Sequence, residues 1–508
     1  MRVITREQSQ NLDRMAMRDY GISGEDLMGN AGLKLAEFIR LNLVDIHSPK
    51  IGIVCGKGNN GGDGFAAGEL LHLWGFNVKI FAMVEKNAID GDALIYSDRC
   101  QKNGLQIRFN NQLPSTIPKF DLMVDAVLGT GFSGSVRADT IPWLEWINTC
   151  KLIVSADISS GVDATTGTAD PHAVNADDTV SMGYSKLGMS IEPGKSFSGH
   201  IHSVDIGFPD IINELDGRLW SVISEKEIRA ILKPLAKTTH KHVQGKVLFV
   251  AGSIGMTGAA YMTTMAALRC GAGLTITCAP ASLNSIYEAK ITEGMTIPCP
   301  DEGSGIFTQL NYDTIMNCVD WCDVVAIGPG LGQDNRTHEL VESLIKTIEK
   351  PMVIDADGLR PFYRNTELFQ NIKSDFVITP HIGELSQLMD IPTEFIQKDL
   401  PGTIEKIMAK LPGILVAKFA PSLVAWQGQG AVNSTGNPGL ATAGTGDVLT
   451  GIIASFMAQG FGTIEAAKLG IFIHGRAADK WTEMNSQRGM IASDLLSQIG
   501  STFRDYES

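Results

Sequence analysis

Short apolar runs recur along the chain, each followed by a glycine- or acid-rich turn and then by a longer stretch with helical spacing. Residues 1–40 open the pattern. Leu12, Met15, Leu27, Met28, Leu35, Ala36 and Ile39 recur at helical intervals, broken by "DYGISGE", where Ser23 is placed to cap a second helix. Strands are then expected at 51–55, 78–84, 122–127, 152–157, 178–182 and 201–206. The segment 207–224 breaks this rhythm and reads as a connector. A second alternation predicts strands at 247–251, 274–278, 323–327, 352–355, 376–379, 414–418 and 422–426. Helices are expected near 258–271, 336–349, 403–411, 446–459 and 463–480. Strands that alternate with helices predict mostly parallel sheets covered on both faces. The expected fold is α/β: a Rossmann-like domain over 1–215 and a second α/β domain over 225–505.

Composition narrows what such a chain can do. A length of 508 residues is too great for one ordinary domain, and 44% hydrophobic residues suffice for sizeable cores. The net charge of −14 comes with no basic run, so no nucleic-acid partner is expected. The start, "MRVITREQSQNLDRM", lacks a signal-peptide core, and no run of about 18 apolar residues predicts a membrane span. The eight cysteines are scattered, Cys318 and Cys322 being the closest pair. They read as buried or idle thiols in a reducing cytoplasm. The pairs His200/His202 and His240/His242 lack an evident third ligand and read as structural.

Three turns in the first half concentrate chemistry at strand ends, where open α/β sheets bind ligands. The first is "GKGNNGGDG", residues 56–64. Gly56, Gly58 and Gly61 satisfy the dinucleotide fingerprint, and backbone N–H groups leading into a helix can cradle phosphate. Around Gly61 and Gly62, Asn59, Asn60 and Asp63 make it more polar than a bare phosphate turn, and the oxygens of Asn60 and Asp63 suit a cation or ribose hydroxyls. A plain dehydrogenase loop is the rival reading, with Glu85 as its only candidate ribose acid. The second turn runs from Asp125 through Gly129, Thr130, Gly131, Phe132, Ser133, Gly134 and Ser135. The third places Asp157, Ser159 and Ser160 after an apolar strand.

The set "LMGNAG", "GKGNNGGDG", "VDAVLGTG" and "DISSGVD" resembles the N-terminal domain of NAD(P)H-hydrate epimerases, over roughly residues 1–210. The resemblance implies that residues 59–63 and 129–135 hold a hydrated nicotinamide dinucleotide. It also implies K⁺ on oxygens of Asn60, Asp125 and Ser160, with Asp157 as a substrate-contacting and candidate catalytic carboxylate. Gly29 and Ser159 stand where that family commonly has glutamate and proline.

The second half offers "GNPGLATAGTGDVLTGIIASF". Gly444, Thr445, Gly446 and Asp447 open an apolar helix, so free N–H groups and the positive helix end face whatever lies in front. An aspartate beside such an anion hole can deprotonate a hydroxyl that attacks a phosphoryl group. "IGPGLG", "VIDADGL" and "TPHIGE" end other strands with potential ligands, and no Walker-type loop is present.

This set resembles the ribokinase-like fold and, more closely, the ADP/ATP-dependent NAD(P)H-hydrate dehydratases, over about residues 225–500. The resemblance implies Asp447 as the proton-handling residue and Gly444–Gly446 as the anion hole. Ala260, Gly332 and His381 would contact the hydrated cofactor. Lys418, Phe419, Ala420, Pro421 and Ser422 would contact the nucleotide, with Phe419 and Pro421 departing from the usual "KGAxT". The expected activity is bifunctional: epimerisation of hydrated NAD(P)H, then dehydration of its S form with ADP and Mg²⁺. Small molecules are the expected partners, in a homo-oligomer. The rival is a kinase of a hydroxymethyl heterocycle with a non-catalytic N-terminal binding domain.

Overall fold

The computed structural model of the protein describes residues 1–44 and 47–507. Two compact units divide the chain between Trp220 and Ser221, Met1 grouping with the second.

The first unit is built on seven parallel strands: β1 (Lys50–Cys55), β2 (Asn77–Ala82), β3 (Ile107–Phe109), β4 (Leu122–Ala126), β5 (Ile153–Ala156), β6 (Asp178–Met182) and β7 (His200–Val204). Their order is β3-β2-β1-β4-β5-β6-β7, so the connection direction reverses between β1 and β4. In doubly wound sheets this switch opens a crevice at the carboxyl ends of the strands. The central strands β1, β4 and β5 are mostly apolar and buried because both faces are covered there; in β1 every residue after Lys50 is buried.

Helix α1 (Arg6–Tyr20) begins with a capping box between Thr5 and Gln8 and ends at Gly21 in the left-handed region, φ 69°. Helix α2 (Gly24–Asn42) is capped by Ser23, whose hydroxyl accepts from the Asp26 N–H. Ahead of α1, Val3 and Ile4 pair in parallel with Ser185 and Lys186.

Helix α3 runs Asn59–Leu73, with Gly58 as its N-cap. What the sequence suggests is a loop over 56–64 is therefore mostly the first turn of a helix. Asparagine and glycine are poor helix formers, and tertiary packing overrides them here. A Cβ on Gly61 would run into the Gly56 carbonyl oxygen, and one on Gly56 into that of Val127.

The second unit carries β8 (Lys246–Val250), β9 (Leu274–Pro280), β10 (Met295–Cys299), β11 (Val324–Ile327), β12 (Met352–Ile354), β13 (Phe376–Ile378), β14 (Ile414–Ala417), β15 (Leu423–Trp426) and β16 (Gln429–Val432). The order is β10-β9-β8-β11-β12-β13-β14-β15-β16, parallel as far as β14 and antiparallel beyond it. Helices α4 (Thr257–Arg269), α5 (Thr445–Ala458) and α6 (Thr463–Thr482) pack on this sheet. Every residue of α5 is buried except Gly446 and Asp447, in its first turn. No helix among the described residues is long and apolar enough to cross a membrane.

Candidate active sites

In the first unit, a cleft of about 1000 Å³ opens at the switch between β1 and β4. Its wall includes Asn59, Asn60 and Asp63 of α3, residues 129–133 and Ser135 of the second turn, and Asp157 at the end of β5. Gly61 and Gly62 lie buried beneath it. Gly134, with φ 79°, shapes the second turn without lining the cleft. The first N–H groups of α3 have no intrahelical acceptor, which suits an anion.

Below the cleft sits a polar knot. Asp125 is fully buried in β4, beside Val54 of β1 and Ser155 of β5. Ser160 donates to it through both its hydroxyl (2.5 Å) and its N–H (2.8 Å), and the Ser155 hydroxyl adds a third bond at 2.8 Å. Burial pushes the Asp125 carboxyl above its ordinary range, although these donors favour the charged form. Asn60 donates its amide to the Leu128 carbonyl at 3.2 Å, leaving its own buried Oδ1 without a partner among the described residues. An orphaned amide oxygen, a carboxylate and a hydroxyl so placed fit a hard monovalent cation.

Asp157 is held in the left-handed region, φ 65°, a strained setting for a non-glycine residue. Its Oδ1 accepts the Met182 N–H at 2.9 Å and forms an ion pair with the buried Lys186. Lys186 also donates to Ser181 Oγ and the Met182 carbonyl. Asp13, from α1, and Asp63 face this pair. Burial and then the charge of Asp157 push Asp13 up to about 6, opposed by Lys186. Burial, with Asp157 and Asp13 adding, holds Asp63 well above the carboxylate range. Arg6, at the start of α1, donates to the carbonyls of Thr130 and Phe132 and pairs with Asp163, clamping the second turn.

Sequence reasoning missed Asp13, Lys186 and Arg6. Asp13 carried one legible signal, a carboxylate beside the apolar stripe of α1. Lys186 carried none, because its pairing with Asp157 exists only in the folded unit.

In the second unit the centre is Lys418. Its ammonium lies 2.7 Å from Asp355 and 3.9 Å from Glu384, and its N–H bonds the Pro380 carbonyl beside His381. Gly446 approaches so closely that a Cβ there would sit 3.2 Å from Lys418 Nζ. The preceding Gly444 turns into α5 with φ 90°. His474 bonds the Thr445 carbonyl at 2.9 Å, fixing that turn from behind. Burial pushes Asp447 up to about 7, Asp355 and Asp357 adding and Lys418 opposing.

Asp357 accepts the Gly332 N–H at 2.8 Å, tying "GPGLG" to this centre. His381 caps the next helix: its Nδ1 accepts from Gly383 and Glu384, which leaves the hydrogen on Nε2. Burial, then Lys418, lowers its pKa, so the ring is neutral. Glu384 is pushed up to about 7, chiefly by burial. Residues 418–422 form the turn between β14 and β15. Ala260 is fully buried in a cluster with Ala251, Ala279, Leu283, Tyr287 and Ile291, packed against the Gly252 turn. Asp355 and Glu384 lay inside quoted motifs, yet nothing in the sequence singled them out.

Comparison with known proteins agrees with both halves. A family model described as NAD(P)H-hydrate dehydratase matches residues 247–501, and one described as YjeF-related protein N-terminus matches 24–188. The bifunctional NAD(P)H-hydrate repair enzyme of Moorella thermoacetica is 36% identical over 100% of this chain and 97% of its own length. That of Thermofilum pendens is 33% identical over 100% and 98%. A ribokinase-like superfamily protein of Enterococcus faecalis superposes with a TM-score of 0.50 at 24% identity, covering 57% of this chain and 97% of that one, a likeness of fold. The chain belongs to the family of bifunctional NAD(P)H-hydrate repair enzymes.

Proposed function

We propose that the first unit interconverts the R and S epimers of hydrated NAD(P)H and that the second restores NAD(P)H from the S epimer, converting ADP to AMP and phosphate. The observation that carries the second step is Asp447 in the first turn of α5, beside the N–H groups of Gly444 and Gly446 and near the Lys418 ammonium. Asp447 takes the proton of the 6-hydroxyl, whose oxygen attacks the terminal phosphate. The N–H groups and Lys418 meet the charge that builds on the phosphoryl oxygens. The phosphate ester then leaves far more readily than hydroxide, and elimination restores the 5,6 double bond.

In the first unit, Asn60, Asp125 and Ser160 would hold K⁺, which supplies fixed positive charge beneath the substrate. In the second, no group of three or more His, Cys, Asp or Glu among the described residues forms a metal cage. Mg²⁺ fits there as a companion of the nucleotide phosphates, its usual mode, with Asp357 and Asp447 near. It offsets phosphate charge. Eight free thiols support a reducing, cytoplasmic setting.

The pairing has a chemical logic. Spontaneous hydration gives both epimers, and a stereospecific dehydratase alone strands one of them. The test is to incubate mixed NADH hydrates with the protein and ADP, or ATP, and follow the return of reduced-nicotinamide absorbance. Complete recovery with ADP is expected. A plateau near half removes the epimerase activity from the reading, and no recovery with either nucleotide removes the dehydratase.

A further inference from the structure

Asp157 cannot by itself carry the protons that epimerisation moves. Its Oδ1 is committed to the Met182 N–H and to Lys186, which is itself filled by Ser181 and the Met182 carbonyl. With an ammonium and a backbone N–H donated to it, this carboxylate is placed to accept a proton, not to supply one. Inversion at C6 needs one given. The C6–O bond breaks as the ring-nitrogen lone pair forms an iminium cation, and the departing hydroxyl takes up a proton to leave as water. Water then adds to the other face of C6 and releases a proton. One proton goes in, one comes out, and no oxidant is involved.

We propose that Asp13, on α1, is the proton donor of this cleft, acting with the Lys186-held carboxylate of Asp157 as acceptor. The inference rests on the epimerase reading of the first unit. Asp13 lines the cleft from a different element than Asp157. It is half-buried, and its carboxyl has no hydrogen-bond partner among the described residues. Both features set it apart from a capping or structural aspartate. Asp13 gives its proton to the leaving hydroxyl, and the free oxygen of Asp157 takes one from the incoming water. Exchange with cleft water resets the pair. The cation formed between these steps lies among carboxylates, which stabilise it.

Asp63 faces the same groups and is the competing candidate. Burial, with Asp157 and Asp13 adding, holds its carboxyl well above the ordinary range, so it gives up a proton less readily. Asp13, acted on by Asp157 and Lys186, is poised near 6, where a donor can both hold a proton and release it.

The test uses the full-length protein and the isolated R epimer of NADH hydrate without nucleotide, with R-to-S conversion followed by chromatography. For the native protein, kcat should fall as pH rises through about 6, because the protonated donor is lost. Asp13→Asn should lower kcat about 100-fold or more, remove that pH limb and leave KM within about threefold. Asp13→Glu should restore the limb. A native rate independent of pH between 5 and 8 overturns the assignment, and so does an Asp13→Asn protein with native kcat and pH profile. Loss of the limb in Asp63→Asn, with Asp13→Asn keeping it, overturns the assignment too. Absence of any catalysed conversion by the native protein refutes the epimerase reading instead.

Discussion

Lys418 Nζ lies 2.7 Å from Oδ1 of Asp355, a carboxylate almost sealed from solvent. The other oxygen of Asp355 accepts the Thr450 hydroxyl at 2.7 Å. Lys418→Met leaves Asp355 as a buried anion with no opposite charge, at a cost of about 3–5 kcal/mol. Urea unfolding should report this loss. The double variant Lys418→Met with Asp355→Leu should recover part of it, since the uncompensated charge is then gone. Unfolding of the single variant at the native urea midpoint would refute the claim.

The base role proposed for Asp447 makes its carboxylate the working form. Because burial raises it to about 7, that form accumulates as pH rises through 7. Turnover of pure S epimer with ADP should climb across this range and then level. Asp447→Asn should cut it by roughly 10²–10⁴ while leaving R/S exchange untouched. A flat profile from pH 5.5 to 8.5 would contradict the role.

The unpaired Oδ1 of Asn60 predicts a potassium response in epimer exchange. Replacing potassium chloride by choline chloride at constant ionic strength should slow the exchange, and Asn60→Ala should abolish the difference. Ser155, whose hydroxyl orients Asp125, tunes the same site. Ser155→Ala should raise the half-saturating potassium concentration about tenfold. Equal rates in the two salts would refute a functional cation there.

Gly61→Ala forces a methyl group into the Gly56 carbonyl. Backbone meets backbone, so no side chain can swing away. The expected destabilisation is about 1–3 kcal/mol. Chemical denaturation followed by the fluorescence of Trp143 and Trp146, both in the first unit, would measure it. A native midpoint would show that α3 can shift to make room.

The sheets were legible because buried parallel strands need no alternation: "IGIVC" and "VLFV" can be little else. Ile107–Phe109 and Gln429–Val432 were not, being too short to stand out from turns. Helix α3 was read two ways at once, since its glycines serve close packing and its asparagines serve the cleft. Asn60, Asp125, Asp157 and Asp447 stood out because each follows an apolar strand or opens an apolar helix. Lys186, Asp355 and Glu384 did not. Each earns its place through partners far along the chain, and local sequence carries no trace of such pairings. Ala260 sits on a helix behind a glycine turn, and only packing reveals that it faces inward.

The ladder joining Val3 and Ile4 to Ser185 and Lys186 also sets an order of events during synthesis. Val3 and Ile4 wait for partners made about 180 residues later. At ordinary translation speeds that interval is roughly 10–40 s. Throughout it α1 has no completed cleft to close, and Asp157 lacks its lysine. Until the first unit is complete, the nascent chain thus carries α1 without the surface that its buried side packs on.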